Sequence, residues 1–388
     1  MNIQQTDKQY IANTYARFPV VIKNGKGSLV WDENGKEYVD LSGGIAVTTF
    51  GIADDEWVAA VTAQLSAIQH TSNLYYTEPC ALLAKTLCER TGMKKVFFSN
   101  SGAEANECAI KVARKYAAEK KGADYNVIVT LKNSFHGRTL TTLAATGQDV
   151  FHKDFTPLTE GFVYAEANNF EDLSRLVTEN KCAAVLMEVV QGEGGVIALD
   201  PDFVQKTAEL CREQDLLLMA DEVQIGNGRS GMLYGYMNYG ICPDVVSTAK
   251  GLGGGLPIGA TLIGEKAQDV LGISSHGSTF GGNPVCCAGA LNVINRLNDN
   301  MLMGVKERSA YIQNALKNAD GVESVTGMGL MLGIKTVRPA ADVIADCMEQ
   351  GVLVIKAKDK VRLLPALNIP MELLEHAVNV IKEACAKQ

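Results

Sequence analysis

A chain of 388 residues is long enough for two domains and a sizeable core. Hydrophobic residues make up 47% and charged residues 21%, an ordinary balance for a water-soluble globular protein. The formal net charge of −8 argues against a nucleic-acid partner, which needs a basic face, yet a few local arginines can still hold an acidic substrate. The 10 cysteines include no CxxC and read as reduced thiols. The histidines show no HExxH, so no metal is expected. The first residues are polar and no apolar run is long enough for a bilayer, so the expected location is cytoplasmic, with no membrane partner.

Residues 1–50 read as an arm followed by a small sheet. Leu29-Val30-Trp31 and Tyr38-Val39-Asp40-Leu41 flank Asn34-Gly35, a strong hairpin signal between apolar runs. Helical spacing follows through Trp57, Val61, Leu65 and Ile68, and again through Leu82, Leu83 and Leu87. Val96-Phe97-Phe98 predicts a strand, the next residues to Gly102 a turn, and Ala103 to about Lys121 a helix. A strand, a small-residue turn and a helix N-terminus leave backbone N–H groups free for a phosphate. Plain capping by Ser101 explains the same residues.

The run 126–131 predicts a further strand, leading into Ser134-Phe135-His136-Gly137-Arg138. An aromatic ring there can stack on a cofactor, and an arginine fork can hold a carboxylate. The run 183–190 predicts one buried strand carrying Glu188, an acid that needs a partner in such a setting. Glu193 follows in the glycine-rich loop 191–195. A helix starting at Pro201 leads to the apolar run 216–220, which delivers Asp221, and Val245-Val246 delivers Lys250. Read as buried parallel strands, these two runs put a carboxylate and an amine at strand ends of one sheet, where open α/β sheets hold ligands. Gly251 and Gly253-Gly254-Gly255 suggest that a bound cofactor approaches the backbone closely, and they fit neither a P-loop nor a dinucleotide fingerprint. An acid for a ring nitrogen and an amine for an aldehyde suit pyridoxal 5′-phosphate. Beyond a strand at 258–263, the loop 277–284 offers the hydroxyls of Ser278 and Thr279 and opens a helix. From about residue 300, helices near 303–318, 339–350 and 371–386 alternate with apolar stretches, one of which carries Arg362. That alternation predicts a separate α+β unit.

The set and its order resemble the class III aminotransferases over nearly the whole chain. The segments that carry the resemblance are SGAEAN (101–106), FHGR (135–138), QGEGG (191–195), DEVQ (221–224), AKGLGGGLPIG (249–259) and GSTFGGNP (277–284). It implies an α/β architecture, the type I fold of pyridoxal-phosphate transferases. A large cofactor-binding domain with a mostly parallel sheet would span 51–290, and a small α+β domain 291–388, joined by the segment 1–50. It further implies that Ser101, Gly102 and Ala103 hold the phosphate and that Phe135 stacks on the ring. Asp221 would meet the ring nitrogen, Glu222, Val223 and Gln224 would complete the cofactor contacts, and Lys250 would be the Schiff-base lysine. Thr279 would reach the phosphate of a neighbouring subunit, with Ser278 near the substrate there, so a homodimer is implied. Arg138 would take the substrate α-carboxylate, and Arg362 that of 2-oxoglutarate, with Glu193 as its removable partner. SNLYYTEP (72–79) and the compact length favour the branch acting on N2-acetyl-L-ornithine. Succinylornithine, ornithine and 4-aminobutyrate are the alternative substrates, and a binding protein without turnover is the alternative class. The sequence departs from the family pattern at Ile225 to Gly231, at Val189 and at Thr48 to Ala53.

Overall fold

The apolar runs marked by the sequence become the strands of one central sheet in the computed structural model, which describes residues 2–387. Its order is Lys95–Ser99, Gly259–Ile263, Val245–Thr248, Leu217–Asp221, Cys182–Met187, Val127–Leu131, Phe162–Ala165. Only Gly259–Ile263 runs antiparallel to its neighbours. Cys182–Met187, Leu217–Asp221 and Val245–Thr248 are buried at every residue, as strands covered on both faces must be. Two apolar clusters cover the two faces, one built around the helix Gly102–Lys120. That helix buries Ala105, Cys108, Ala109, Val112, Ala113 and Tyr116, spaced as one face of a helix requires.

The six parallel strands end on one edge, so the segments after Ser99, Leu131, Met187, Asp221 and Thr248 all emerge on the same side. This is the carboxyl edge, where side chains from strands distant in sequence converge.

Two further sheets frame that edge. The hairpin around Asn34-Gly35 forms, and Ile22–Lys26, Leu29–Asp32 and Glu37–Asp40 make an antiparallel sheet. Val352–Leu353 adds to it in parallel beside Glu37–Asp40, so the beginning and end of the chain share one sheet. The C-terminal sheet has the order Val322–Met328, Met331–Thr336, Lys360–Leu363, Ile355–Ala357, all antiparallel. It packs with the helices Asp299–Leu316, Ala340–Glu349 and Met371–Ala386. Buried Arg229 ties the two regions, donating from one nitrogen to the carbonyls of Leu330 (3.0 Å) and Pro365 (2.9 Å). Burial without an acid pushes its pKa down to about 9.

Three expectations change. The predicted strand 183–190 stops at Met187, and Val190–Gln191 pairs instead with Ile197–Ala198 in a separate hairpin. The helix expected from Trp57, Val61, Leu65 and Ile68 forms as Asp55–Ala67, but Leu65 and Ile68 are exposed. Its periodicity marked a helix, not a face buried within this chain. The glycines after Lys250 serve packing: a Cβ at Gly251 would meet the Thr49 hydroxyl at 2.9 Å, and one at Gly254 the Trp57 indole nitrogen at 2.8 Å. Trp57 also donates to the Gly253 carbonyl at 3.1 Å. Gly255 alone of that run lines the cavity described next. No helix among the described residues is long and apolar enough to cross a membrane.

Candidate active site

A cavity of about 630 Å³ opens at the carboxyl edge of the central sheet. Asn100 to Ala103, Phe135 to Arg138, Glu188, Asp221, Val223, Gln224, Ala249 and Lys250 line it, each following one of the five strand ends.

Asp221 is the most constrained group. Leu217–Asp221 and Val245–Thr248 lie side by side in register, Asp221 opposite Ser247. One carboxylate oxygen accepts from Asn106 Nδ2 at 2.8 Å and meets His136 Nδ1 at 2.8 Å. The other accepts from the Val223 N–H at 3.0 Å. Asn106 donates also to the His136 carbonyl (2.8 Å) and accepts from the Ser247 hydroxyl (2.5 Å). Asp221, Asn106, His136 and Ser247 are buried and Val223 is half-buried, so the carboxylate is held in one orientation mainly by fixed dipoles rather than by water.

Lys250 follows Val245–Thr248 in a single 3-10 turn, with a left-handed φ of 47°. Such a conformation costs a non-glycine residue roughly 1–3 kcal/mol and collects at functional sites. Burial lowers the pKa of its amine; the opposing pull of Glu193, Asp221 and Glu188 is smaller. An amine easily deprotonated is the form that attacks a carbonyl or moves a proton.

Ser101 caps a helix and also lines the cavity. Its hydroxyl caps the helix Gly102–Lys120 by accepting from the Glu104 N–H at 3.2 Å. Ser101, Gly102 and Ala103 also present the helix N-terminus to the cavity. A Cβ at Gly102 would stand 2.6 Å from a Val223 methyl, so glycine is required for those walls to close together.

Arg138 lies at the cavity rim with its guanidinium 4.3 Å from the centre of the Phe151 ring and 5.4 Å from that of Phe135. Its stacking on aromatic faces holds the fork while leaving its donors free.

The second arginine comes from the C-terminal sheet. Arg362 sits on Lys360–Leu363, an interior strand, opposite Gly333 and 3% exposed. It pairs with Glu193 at 2.6 Å and donates to Gln224 at 3.0 Å, and Gln224 lines the cavity. Burial alone would raise the Glu193 carboxyl, but Arg362 outweighs it and the pKa is lowered. Arg362 Nε is buried with no hydrogen-bond partner among the described residues, and neither Arg362 nor Glu193 lines the cavity itself; Gln224 connects them to it. The hairpin Val190–Gln191 and Ile197–Ala198 carries Glu193 to this position.

Glu222 does not belong with the cavity residues. Its carboxylate turns into the protein and accepts from the Gly235 (2.7 Å) and Tyr236 (2.8 Å) N–H groups. Burial pushes its pKa up to about 8. Neighbouring strand residues point to opposite faces, so Asp221 and Glu222 cannot both face the ligand. Ser278 and Thr279 lie apart from this cavity. Ser278 Oγ accepts from Asn100 Nδ2 (3.2 Å) and the Gly281 N–H (2.9 Å), and Thr279 is exposed. Sequence reasoning missed Tyr15, Val47, Asn106 and His136 as lining residues. Asn106 and His136 lie within SGAEAN and FHGR, so their segments were legible but their contact with Asp221 was not.

The residues present fit pyridoxal 5′-phosphate. A helix N-terminus offers N–H donors at one end, Phe135 and Val223 offer apolar faces, and a fixed buried carboxylate and a desolvated amine complete the set. A sheet with this site at its carboxyl edge defines a cofactor-dependent transferase. The class III aminotransferase family model matches residues 10–385, and the chain belongs to that family. It is 48% identical over 387 residues to the acetylornithine aminotransferase of Haemophilus ducreyi, covering 99% of this chain and 98% of that one. Its backbone is similar to the N-acetylornithine aminotransferase of Stenotrophomonas maltophilia, with TM-score 0.86, 34% identity and 98% of both chains covered. It is also similar to the ornithine aminotransferase of Toxoplasma gondii, with TM-score 0.94, 30% identity, and 98% of this chain and 93% of that one covered.

Proposed function

We propose that the chain transfers the δ-amino group of N2-acetyl-L-ornithine to 2-oxoglutarate, giving N-acetyl-L-glutamate 5-semialdehyde and L-glutamate, the transamination of arginine biosynthesis. The observation that carries it is one cavity holding a fixed acid and a desolvated lysine beside an arginine whose partner acid sits on a separate hairpin. Such a cavity suits two substrates in turn, a donor with an ω-amine and a dicarboxylate acceptor.

Ser101, Gly102 and Ala103 would hold the phosphate, Phe135 and Val223 the ring faces, Asp221 the ring nitrogen and Lys250 the aldehyde carbon. Pyridoxal 5′-phosphate supplies, when bound, an electron sink beside the carbon that loses its proton. Asp221 aims its carboxyl group at one point, because Asn106, His136 and the Val223 N–H hold it there. Lys250 would move a proton between the two carbons that flank the transferred nitrogen, and burial leaves its amine more readily unprotonated, the form able to accept one. Arg138 orients the α-carboxylate of the donor. Glu193 neutralises Arg362 while the donor occupies the cavity and swings away when the acceptor's carboxylate takes its place.

Leu65, Ile68, Leu74, Tyr75, Tyr76 and Phe280 are exposed apolar side chains. Asn73 ties their loops by donating to the carbonyls of Ser278 (3.0 Å) and Gly281 (2.9 Å). A surface of this kind favours a homodimer in which Ser278 and Thr279 serve the neighbouring site. Sedimentation at twice the chain mass checks it, and a monomer active at the same concentration overturns it. The function is tested by a panel of amino donors with 2-oxoglutarate. N2-acetyl-L-ornithine should give the highest kcat/KM, and a higher value for ornithine or 4-aminobutyrate refutes the proposed substrate.

A further inference from the structure

Glu188 is a buried acid with no ion-pair partner among the described residues. It follows the strand Cys182–Met187 directly and lines the cavity while being 5% exposed. One carboxylate oxygen accepts from the Phe135 N–H at 2.8 Å. The other accepts from the Gly192 N–H at 3.2 Å. Phe135 belongs to the loop that presents the aromatic face and Arg138. Gly192 stands immediately before Glu193, the partner of Arg362. A single carboxylate therefore spans two loops that are 57 residues apart in sequence (192 − 135).

The placement is constrained from the other side. A Cβ at Gly192 would lie 2.3 Å from Gln224 Oε1, and Gln224 accepts from Arg362 and donates weakly to Glu193 at 3.4 Å. Gly192 is thus pinned between Glu188 and Gln224. The Glu193 side chain leaves from the residue next to that pinned point.

We propose that Glu188 is a positioning residue for substrate selection: by holding the Phe135 and Gly192 N–H groups together, it sets the Glu193 loop in register with the aromatic wall of the cavity. The inference rests on the reading of Glu193 as the removable partner of Arg362. An acid is suited to this task because it offers two acceptors and no obligatory donor. A glutamine at 188 has one acceptor oxygen, so its NH2 must face one of the two N–H donors. One of the two loops is then released while side-chain volume is conserved. Burial pushes the Glu188 carboxyl up to about 7, against the influence of His136 and with that of Asp221. The two N–H donors favour its charged form without offsetting burial, so the dual-acceptor state is the one that prevails above about pH 7, where the test is run.

The test is Glu188→Gln in the holoenzyme, read by hydrogen–deuterium exchange and by steady-state kinetics. Peptides covering 132–138 or 189–196 should exchange at least tenfold faster, with 182–187 unchanged as the control for folding. The KM for N2-acetyl-L-ornithine should rise about tenfold, while the KM for 2-oxoglutarate stays within about twofold. That split follows because the loosened loop neutralises Arg362 poorly, whereas the acceptor needs Arg362 free. Unchanged exchange in both segments overturns the proposal, and so does an equal rise in both KM values. If the variant does not fold, the wild-type exchange map decides: both segments must be slow, and fast exchange at 189–196 overturns the proposal. A wild type that turns over no acetylornithine sinks the substrate reading alone, since the exchange measurements stand without it.

Discussion

Replacing Asn106 by leucine removes three hydrogen bonds at once while nearly conserving volume. Asn106 is fully buried and donates to Asp221 Oδ2 (2.8 Å) and the His136 carbonyl (2.8 Å), and accepts from the Ser247 hydroxyl (2.5 Å). A hydrogen bond to a charged group contributes about 1.5–3 kcal/mol, and each buried polar group left without a partner costs about 1–3 kcal/mol. The Ser247 hydroxyl can rotate toward another acceptor, but the His136 carbonyl is fixed by the backbone. The expected loss is about 3–5 kcal/mol, at the high end for one substitution. Urea denaturation of the apoenzyme would show it as a lower midpoint with the slope unchanged. Asp221 keeps two of its three restraints, so cofactor affinity should fall by about tenfold, or about 1.4 kcal/mol. Fluorescence titration of the apoenzyme with pyridoxal 5′-phosphate measures that directly. A stability change under about 1 kcal/mol together with unchanged cofactor affinity would refute the claim that Asn106 fixes Asp221. Asn106→Asp should be worse for the cofactor at neutral pH, because a second carboxylate would then stand against the first.

Glu193→Ala should affect the two half-reactions unequally: single-turnover rates with N2-acetyl-L-ornithine should fall about tenfold or more, and those with glutamate by less than about threefold. Equal losses would remove the case for Glu193 as a switchable partner of Arg362. The buried carboxyl of Glu222 predicts a pH effect on stability. Its pKa in the folded chain is about 8, above the ordinary value of 4.5, because burial outweighs the two N–H donors from Gly235 and Tyr236. The folded state therefore holds a proton that the unfolded chain has lost, and this contribution is fully present below 4.5 and disappears as pH rises through about 8. The melting temperature of wild type minus that of Glu222→Gln should become more negative between pH 6.5 and 8.5. A difference constant with pH would place the carboxyl in water or beside an unseen cation.

The sequence by itself determined the strands, the order of the motifs and most of the residues at the site. Continuous apolar runs such as 217–220 and 245–246 read as buried strands at that length, and the residues that follow a strand emerge at the sheet edge. Asp221, Lys250 and Ser101 to Ala103 were legible for that reason, and Phe135 and Arg138 from the loop that follows the strand Val127–Leu131. Tertiary structure decided everything that depends on which way a side chain turns or on what meets it from far along the chain. Glu222 shares a segment with Asp221 yet faces the opposite side. Asn106, on a helix, reaches Asp221 across 115 residues. Glu188 ends a strand early because its partners are two backbone N–H groups in loops that no local pattern links. Arg362 reaches Glu193 across 169 residues only because the C-terminal sheet places an interior strand beside the carboxyl edge. Local propensity acts over a few residues, whereas hydrogen-bond partners in a buried site are assigned by the packing of the whole chain.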